Sequence, residues 1–334
     1  MHAMEGIMRR RYVMALGGAV AALQQSGALA QSRARTPRVG YLWHAGSAEE
    51  EEPYFSALRD GFARLSYVEG RTVELIHRFP NEDPARFLAM AEELVAQRVD
   101  VLMGGGATAP FLKRATSRIP IVFMFVADPV GMGLADSLAR PGGNATGLTN
   151  FGRDIAGKRL QILQQLVPGI TRVGFVVNPS LPATRLYVDV MTDAAGRLGL
   201  SLHVFGANSI EEFEPTFDAM VKAGMQAVTL AQGGTAFQAR ALTPRLALAR
   251  RLPLLSYSRE TFEHGALASY GPSNVEAVIR STVFVDKILR GAKPAEIPVE
   301  QPTTLELLIN LKTAQALGLS IADHLRQAAS EVVD

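Results

Sequence analysis

Short apolar runs alternate along the chain with longer stretches in which apolar residues recur every three or four positions. The runs at 38–43, 72–79, 99–103, 119–126 and 145–151 predict strands. A second series at 172–177, 202–205, 227–231, 253–257 and 266–270 predicts five more. Between them, Phe55, Leu58, Phe62 and Leu65 mark one helical stripe, and Phe87, Ala91, Leu94 and Val95 another. Ile210, Phe213, Phe217, Met220 and Val221 mark a third. Strands that are apolar throughout, joined by helical crossovers, predict parallel sheets covered on both faces.

The two series echo one another. RVGYLW at 38–43 returns as RVGFVV at 172–177, DVLMGGGAT at 100–108 loosely as AVTLAQGGTA at 227–236, and SRIPIVF at 117–123 as RRLPLLSY at 250–257. The order is kept and the offsets are nearly equal, so two halves of one architecture are predicted. Beyond 271 no third series begins. Ser273 to Arg290 reads as one helix, Leu305 to Ile309 as a short strand, and Asn310 as the N-cap of a further helix. These are closing pieces, one for each half. The fold class predicted is α/β: two doubly wound parallel-sheet lobes joined by a three-segment hinge near 151, 271 and 299. Lobe 1 is expected to span 36–150 plus 272–298, and lobe 2 151–271 plus 299–334.

The N-terminus changes the picture of where the protein works. From Met8 the chain places Arg9, Arg10 and Arg11 ahead of an uncharged apolar segment, and Ala28-Leu29-Ala30 supplies a small-x-small cleavage site. This layout predicts a secretory signal over residues 1–30, with Met8 the expected start, removed by the Sec or twin-arginine route. Its apolar part is too short for a permanent span. The remainder carries 31 basic and 31 acidic residues and no Cys. That balance leaves no electrostatic footprint for nucleic acid or an anionic membrane surface, and there is neither a disulfide framework nor a thiol nucleophile. A monomer in the periplasm, with no stable membrane insertion, is expected.

In open parallel sheets, ligands sit at the carboxyl ends of the strands. Those ends are Trp43-His44-Ala45-Gly46, Gly104 to Gly106 with Ala107 and Thr108, Ala127-Asp128-Pro129-Val130 and Thr149-Asn150 in lobe 1. In lobe 2 they are Asn178-Pro179-Ser180, Gln232-Gly233-Gly234-Thr235 and Tyr257-Ser258. Small and hydroxyl residues leading into helices offer backbone amides to an anionic group, and Trp43 and Tyr257 offer an apolar cover. Asp128-Pro129 reads as a cap that turns a short helix start towards the cleft. Glu49 to Glu52 reads as a solvated helix start. Signatures of catalysis or metal binding are missing: the His residues lack metal spacing, and there is no nucleophile elbow and no phosphate loop. No cofactor is expected.

The stretch ADPVGMGLADSLARPGGNATGL, residues 127–148, resembles the hallmark of one family of ABC-transporter substrate-binding proteins. GFARLSYVEGRTVEL (61–75), AGKRLQILQQLVPG (156–169) and IPVEQPTTLELLINLKTAQALGL (297–319) extend the likeness over about residues 36–330. The resemblance implies a type I periplasmic binding-protein fold, a small-molecule solute held between the lobes, and an ABC permease as partner. It also implies ligand-facing positions at Trp43, His44, Gly106, Ala107, Thr108, Ala127, Asp128, Asn150, Asn178, Ser180, Gln232 and Tyr257. Relatives that hold an amino acid tend to carry an acidic residue where this chain has the neutral Asn150. That departure leaves a purely anionic ligand, such as an aromatic carboxylate, beside an amino-acid-like one. A ligand sensor for a signalling partner, or an α/β enzyme using Asp128 or His44, are the other readings.

Overall fold

The computed structural model describes residues 35–149, 153–181 and 184–334. The expected signal segment and Asn150 lie outside the described residues. In lobe 1 the chain runs β1 (Arg38–Leu42), α1 (Tyr54–Arg64), β2 (Glu74–Arg78), α2 (Pro84–Ala96), β3 (Val101–Gly105), α3 (Ala109–Ala115), β4 (Ile121–Val126) and β5 (Ala145–Thr149). The five strands are all parallel, in the order β2-β1-β3-β4-β5. Lobe 2 continues with α4 (Arg153–Leu166), β6 (Arg172–Val177), α5 (Thr184–Arg197), β7 (Ser201–Gly206), α6 (Phe213–Lys222) and β8 (Ala227–Leu230). Then follow α7 (Gly234–Gln238), α8 (Leu242–Ala249), β9 (Leu254–Ser256), α9 (Arg259–Glu263) and β10 (Ala268–Gly271).

The first five strands of lobe 2 lie in the order β7-β6-β8-β9-β10, the same doubly wound order as lobe 1. The echoed segments therefore occupy equivalent places: β1 with β6, β3 with β8, and β4 with β9. After β10 the chain returns to lobe 1 as α10 (Asn274–Leu289), which packs along α1. That approach needs Gly61, where an added Cβ would lie 2.8 Å from Thr282 and 3.1 Å from the backbone of Ile279. The segment to Glu300 then runs beside β5, with Thr149 N donating to the Glu300 carbonyl. A third crossing leads to β11 (Glu306–Asn310), α11 (Leu311–Leu317), α12 (Asp323–Ala328) and β12 (Glu331–Val333) in lobe 2. β11 is antiparallel to β10 and carries β12 at the sheet edge.

The cap read at Asn310 is formed, and Ser273, where the preceding helix was expected to begin, caps it as well. Ser273 Oγ accepts from Glu276 N at 3.3 Å, and Asn310 Oδ1 from Thr313 N at 2.9 Å. Replacing such a cap with Ala typically costs about 1 kcal/mol. Asn310→Ala is expected to lower Tm by about 2 °C in a heating scan.

The stretch 127–144 departs from expectation. It joins two parallel strands, a link usually made by a helix, yet it folds entirely as turns. Asp128 Oδ1 accepts from Gly131 N at 2.8 Å and the Asp128 carbonyl from Met132 N at 3.0 Å, so the cap bond forms and a single turn follows that is not continued into a helix. Proline and glycine removed the helical option: Gly133 and Gly142 have φ of 70° and 75°, and a Cβ on Gly142 would fall 1.9 Å from Asp136 Oδ2. Asn144 finishes the link by donating to the carbonyls of Thr116 and Ile119 and accepting from Lys113.

Candidate functional site

The carboxyl ends of both sheets face a cleft that encloses about 880 Å³ of unfilled space, part of it open to solvent. Its walls carry seven Phe, Tyr and Trp side chains. Tyr54, at the start of α1, stacks on Phe237 of α7 with ring centroids 4.7 Å apart, and lies 5.7 Å from Phe125. Tyr41 stacks on Trp43 at 3.7 Å, and Tyr187 and Tyr257 face them from lobe 2. The lobes meet across this space. Phe237, a lobe 2 side chain, packs into the core cluster of lobe 1. The Arg240 guanidinium lies 4.1 Å over the Phe237 ring and donates to the carbonyls of Glu50 and Glu52 in lobe 1. Asn274, at the second crossing, donates to Tyr54 Oη at 2.9 Å.

Phe125 reaches the cleft through backbone irregularity. The pairing of β4 with β5 shifts register between Phe123 and Val126, and Phe125 has φ of 58°. A bulky residue in the left-handed region stores strain, and such bulges re-aim side chains at ligand sites. Trp43 is fixed by a hydrogen bond from Nε1 to His77 Nδ1 at 3.0 Å. Burial, with Arg59 adding to it, holds His77 down at about 4, so the ring stays neutral and able to accept.

A charged cluster occupies the lobe 1 side. His44 donates from Nε2 to the Gly105 carbonyl at 2.7 Å and from Nδ1 to Glu82 Oε1 at 3.2 Å. Burial disfavours its charge, but the Glu82 hydrogen bond, the Glu82 and Glu51 charges and the Gly105 carbonyl together lift it to about 9. The imidazole is therefore an imidazolium donating from both nitrogens. Glu51 corrects the expectation of a solvated run. It is only 3% exposed, and its Oε1 accepts from His44 N at 2.7 Å and Ala45 N at 2.6 Å. Burial raises its pKa, with the His44 charge opposing. The helix itself begins only at Tyr54, which turns Glu51 inward.

Of the residues singled out from the sequence, Trp43, His44, Gly106, Ala107, Ala127, Gln232 and Tyr257 line this cleft. Four others lie outside the lining. Thr108 is fully buried and its hydroxyl donates back to the Gly105 carbonyl. Asp128 is spent on its own turn. Asn178 donates to Thr235 Oγ1 and lines a smaller adjoining cavity of about 340 Å³, while Ser180 Oγ donates to Asn208. The aromatic residues Tyr41, Tyr54, Phe125, Tyr187 and Phe237, together with Glu51 and Asn274, escaped the sequence reading. The shared helix-and-strand periodicity marks them only as core.

A family model described as ABC transporter substrate binding protein matches residues 51–333. The chain belongs to that family. This substrate-binding protein is 22% identical over 288 residues to the tyrosine-binding protein of Clostridioides difficile, covering 84% of this chain and 83% of the relative. It superposes on a conserved domain protein from Vibrio cholerae with a TM-score of 0.83 at 25% identity, covering 89% of this chain and all of the other. An ABC domain from Streptococcus pneumonia in complex with L-Trp gives 0.82 at 24% identity, with the same coverage. The type I binding-protein architecture of two α/β lobes is thus shared with proteins that bind solutes.

Lobe 2 of the substrate-binding protein holds a buried cation near its lining tyrosines. Arg159 of α4 is 4% exposed and donates from Nε and Nη2 to the Tyr270 carbonyl at 3.2 and 3.0 Å. Among the described residues no carboxylate pairs with it. Burial lowers it to about 10, opposed by the hydroxyls of Tyr257, Tyr187 and Tyr270, so it remains charged at neutral pH. Burial likewise pushes the Tyr187 hydroxyl up to about 12 and Tyr257 higher still, keeping both as neutral donors. Arg159 itself lies outside the lining of the cleft, to which lobe 2 contributes the Tyr187 and Tyr257 side chains.

Proposed function

We propose that this protein is an exported receptor that closes its lobes on a small aromatic solute, amino-acid-like or an aromatic carboxylate, and delivers it to an ABC importer in the periplasm. The observation that carries the reading is the aromatic lining of the cleft, where Tyr54, Phe125 and Phe237 pack together on one side and Tyr187 and Tyr257 stand among the other lining residues. An apolar slot with few polar groups is the usual form of a small-molecule site. The family membership and the aromatic amino acids named for two relatives support the same class. Hinge closure supplies the signal that a permease reads.

Titration calorimetry of the mature chain with aromatic and aliphatic amino acids and acids tests this reading. Aromatic members are expected to bind, and Phe237→Ala is expected to weaken them about tenfold. Equal binding of aliphatic members, or binding by none, would sink it. Delivery is checked separately, by solute-dependent stimulation of ATPase activity when the receptor is added to its permease in proteoliposomes.

A further inference from the structure

One carboxylate oxygen in the cleft has no protein donor. Glu51 lines the cavity, is 3% exposed, and gives Oε1 to the amides of His44 and Ala45. Among the described residues no donor meets Oε2. The one cation beside it, His44, is already bonded to Glu82 and to the Gly105 carbonyl. Arg240, the other cation that approaches this segment, spends its donors on carbonyls of Phe237, Glu50 and Glu52. Two carboxylates therefore share one imidazolium, and the second oxygen of Glu51, which is not among the fully enclosed unpartnered atoms, is left to the cleft that the residue lines.

The Glu51 charge helps to hold the His44 proton, but its local hydrogen bonds do not depend on it. The acceptor of two amides could be a glutamine oxygen, uncharged and of the same shape. What a carboxylate adds is the second oxygen and the charge, and both face the ligand space. We infer that Glu51 is the counter-ion of a cationic nitrogen on the solute, so that the ligand carries an ammonium with N–H groups. This rests on the cleft being an aromatic-solute site. The ammonium would dock on Glu51 Oε2 while the ring lies against the aromatic side chains that line the cleft, whose π faces further favour a cation nearby. The acidic role missing at position 150 is thereby filled from position 51, and a purely anionic aromatic carboxylate is disfavoured.

The test uses three probes on one ring: L-tyrosine, tyramine, which lacks the carboxylate, and 3-(4-hydroxyphenyl)propanoate, which lacks the amine. The matching indole trio is L-tryptophan, tryptamine and indole-3-propanoate. In calorimetry on the wild-type mature chain, the amine-bearing probes are expected to bind at least about tenfold more tightly than the propanoates. Glu51→Gln is expected to weaken the amine-bearing probes by a similar factor and leave the propanoates within about twofold. Wild-type protein that binds the propanoates as tightly as the amines overturns the assignment while leaving the aromatic receptor standing. So does a Glu51→Gln variant that weakens all probes equally, since that marks a structural role. If the variant fails to fold, the wild-type ranking decides. Binding of none of the six overturns the aromatic-solute reading and this inference with it.

Discussion

Gly234→Ala is expected to cut ligand affinity about 30- to 140-fold while leaving the thermal stability of the ligand-free protein nearly unchanged. Gly234 opens α7 in lobe 2, and a Cβ built on it falls 1.5 Å from Glu82 Oε1 and 3.0 Å from His44 Nδ1, both in lobe 1. The Glu82 side chain cannot swing away freely, because it is bonded to the His44 imidazolium at 3.2 Å. Closure of the variant must therefore break a charge-assisted hydrogen bond in a buried place, a loss of about 2–3 kcal/mol. Only the closed form suffers, so the whole penalty falls on the population competent to bind. At 1.4 kcal/mol per tenfold, that gives the stated loss. Gly196→Ala is the control: its added methyl meets nothing within 4 Å, so it should stabilise α5 by a few tenths of a kcal/mol and leave affinity alone. Affinity of Gly234→Ala within threefold of wild type would show that the lobes close without this approach.

What the sequence disclosed and what it hid divide along physical lines. The strands, the echo between halves and the cap at Asn310 rest on local periodicity and local hydrogen bonding, which a single segment carries within itself. Phe125 was hidden because its exposure to the cleft comes from a bulge, and a strand read by alternation has no room for a left-handed residue. Tyr54 and Phe237 were missed because periodicity says only that a helix face is buried and not against which lobe. Glu51 was hidden by its neighbours. Four successive glutamates look solvated, and only the turn of the chain into Tyr54 sends one of them inward while Glu49 and Glu50 stay exposed. The turns at 127–144 show the converse: Asp128-Pro129 has the chemistry of a helix cap and makes the cap bond, but the Pro and Gly that follow stop the chain after one turn.

The second large effect is a loss of stability with rising pH that His44 controls. The imidazole titrates near 6.5 in the unfolded chain and at about 9 in the folded one. Burial works against the folded charge, and the Glu82 bond, the Glu82 and Glu51 charges and the Gly105 carbonyl more than offset it. Because the folded value is the higher, the stabilisation is complete below 6.5 and disappears as pH rises through 9. A shift of this size corresponds to roughly 3 kcal/mol. Denaturant unfolding of ligand-free protein between pH 6 and 10 should show wild type losing about that much more than His44→Gln, which has no such proton to lose. Arg159, at about 10, begins to titrate at the upper limit, but it does so in both proteins and cancels in the comparison. The same titration strips the acidic wall of its only internal cation, so Glu51 and Glu82 then face each other uncompensated. Stability curves of the two proteins that run parallel across this range would mean that His44 carries no proton in the folded state, and that the surplus negative charge of the cleft is larger by one.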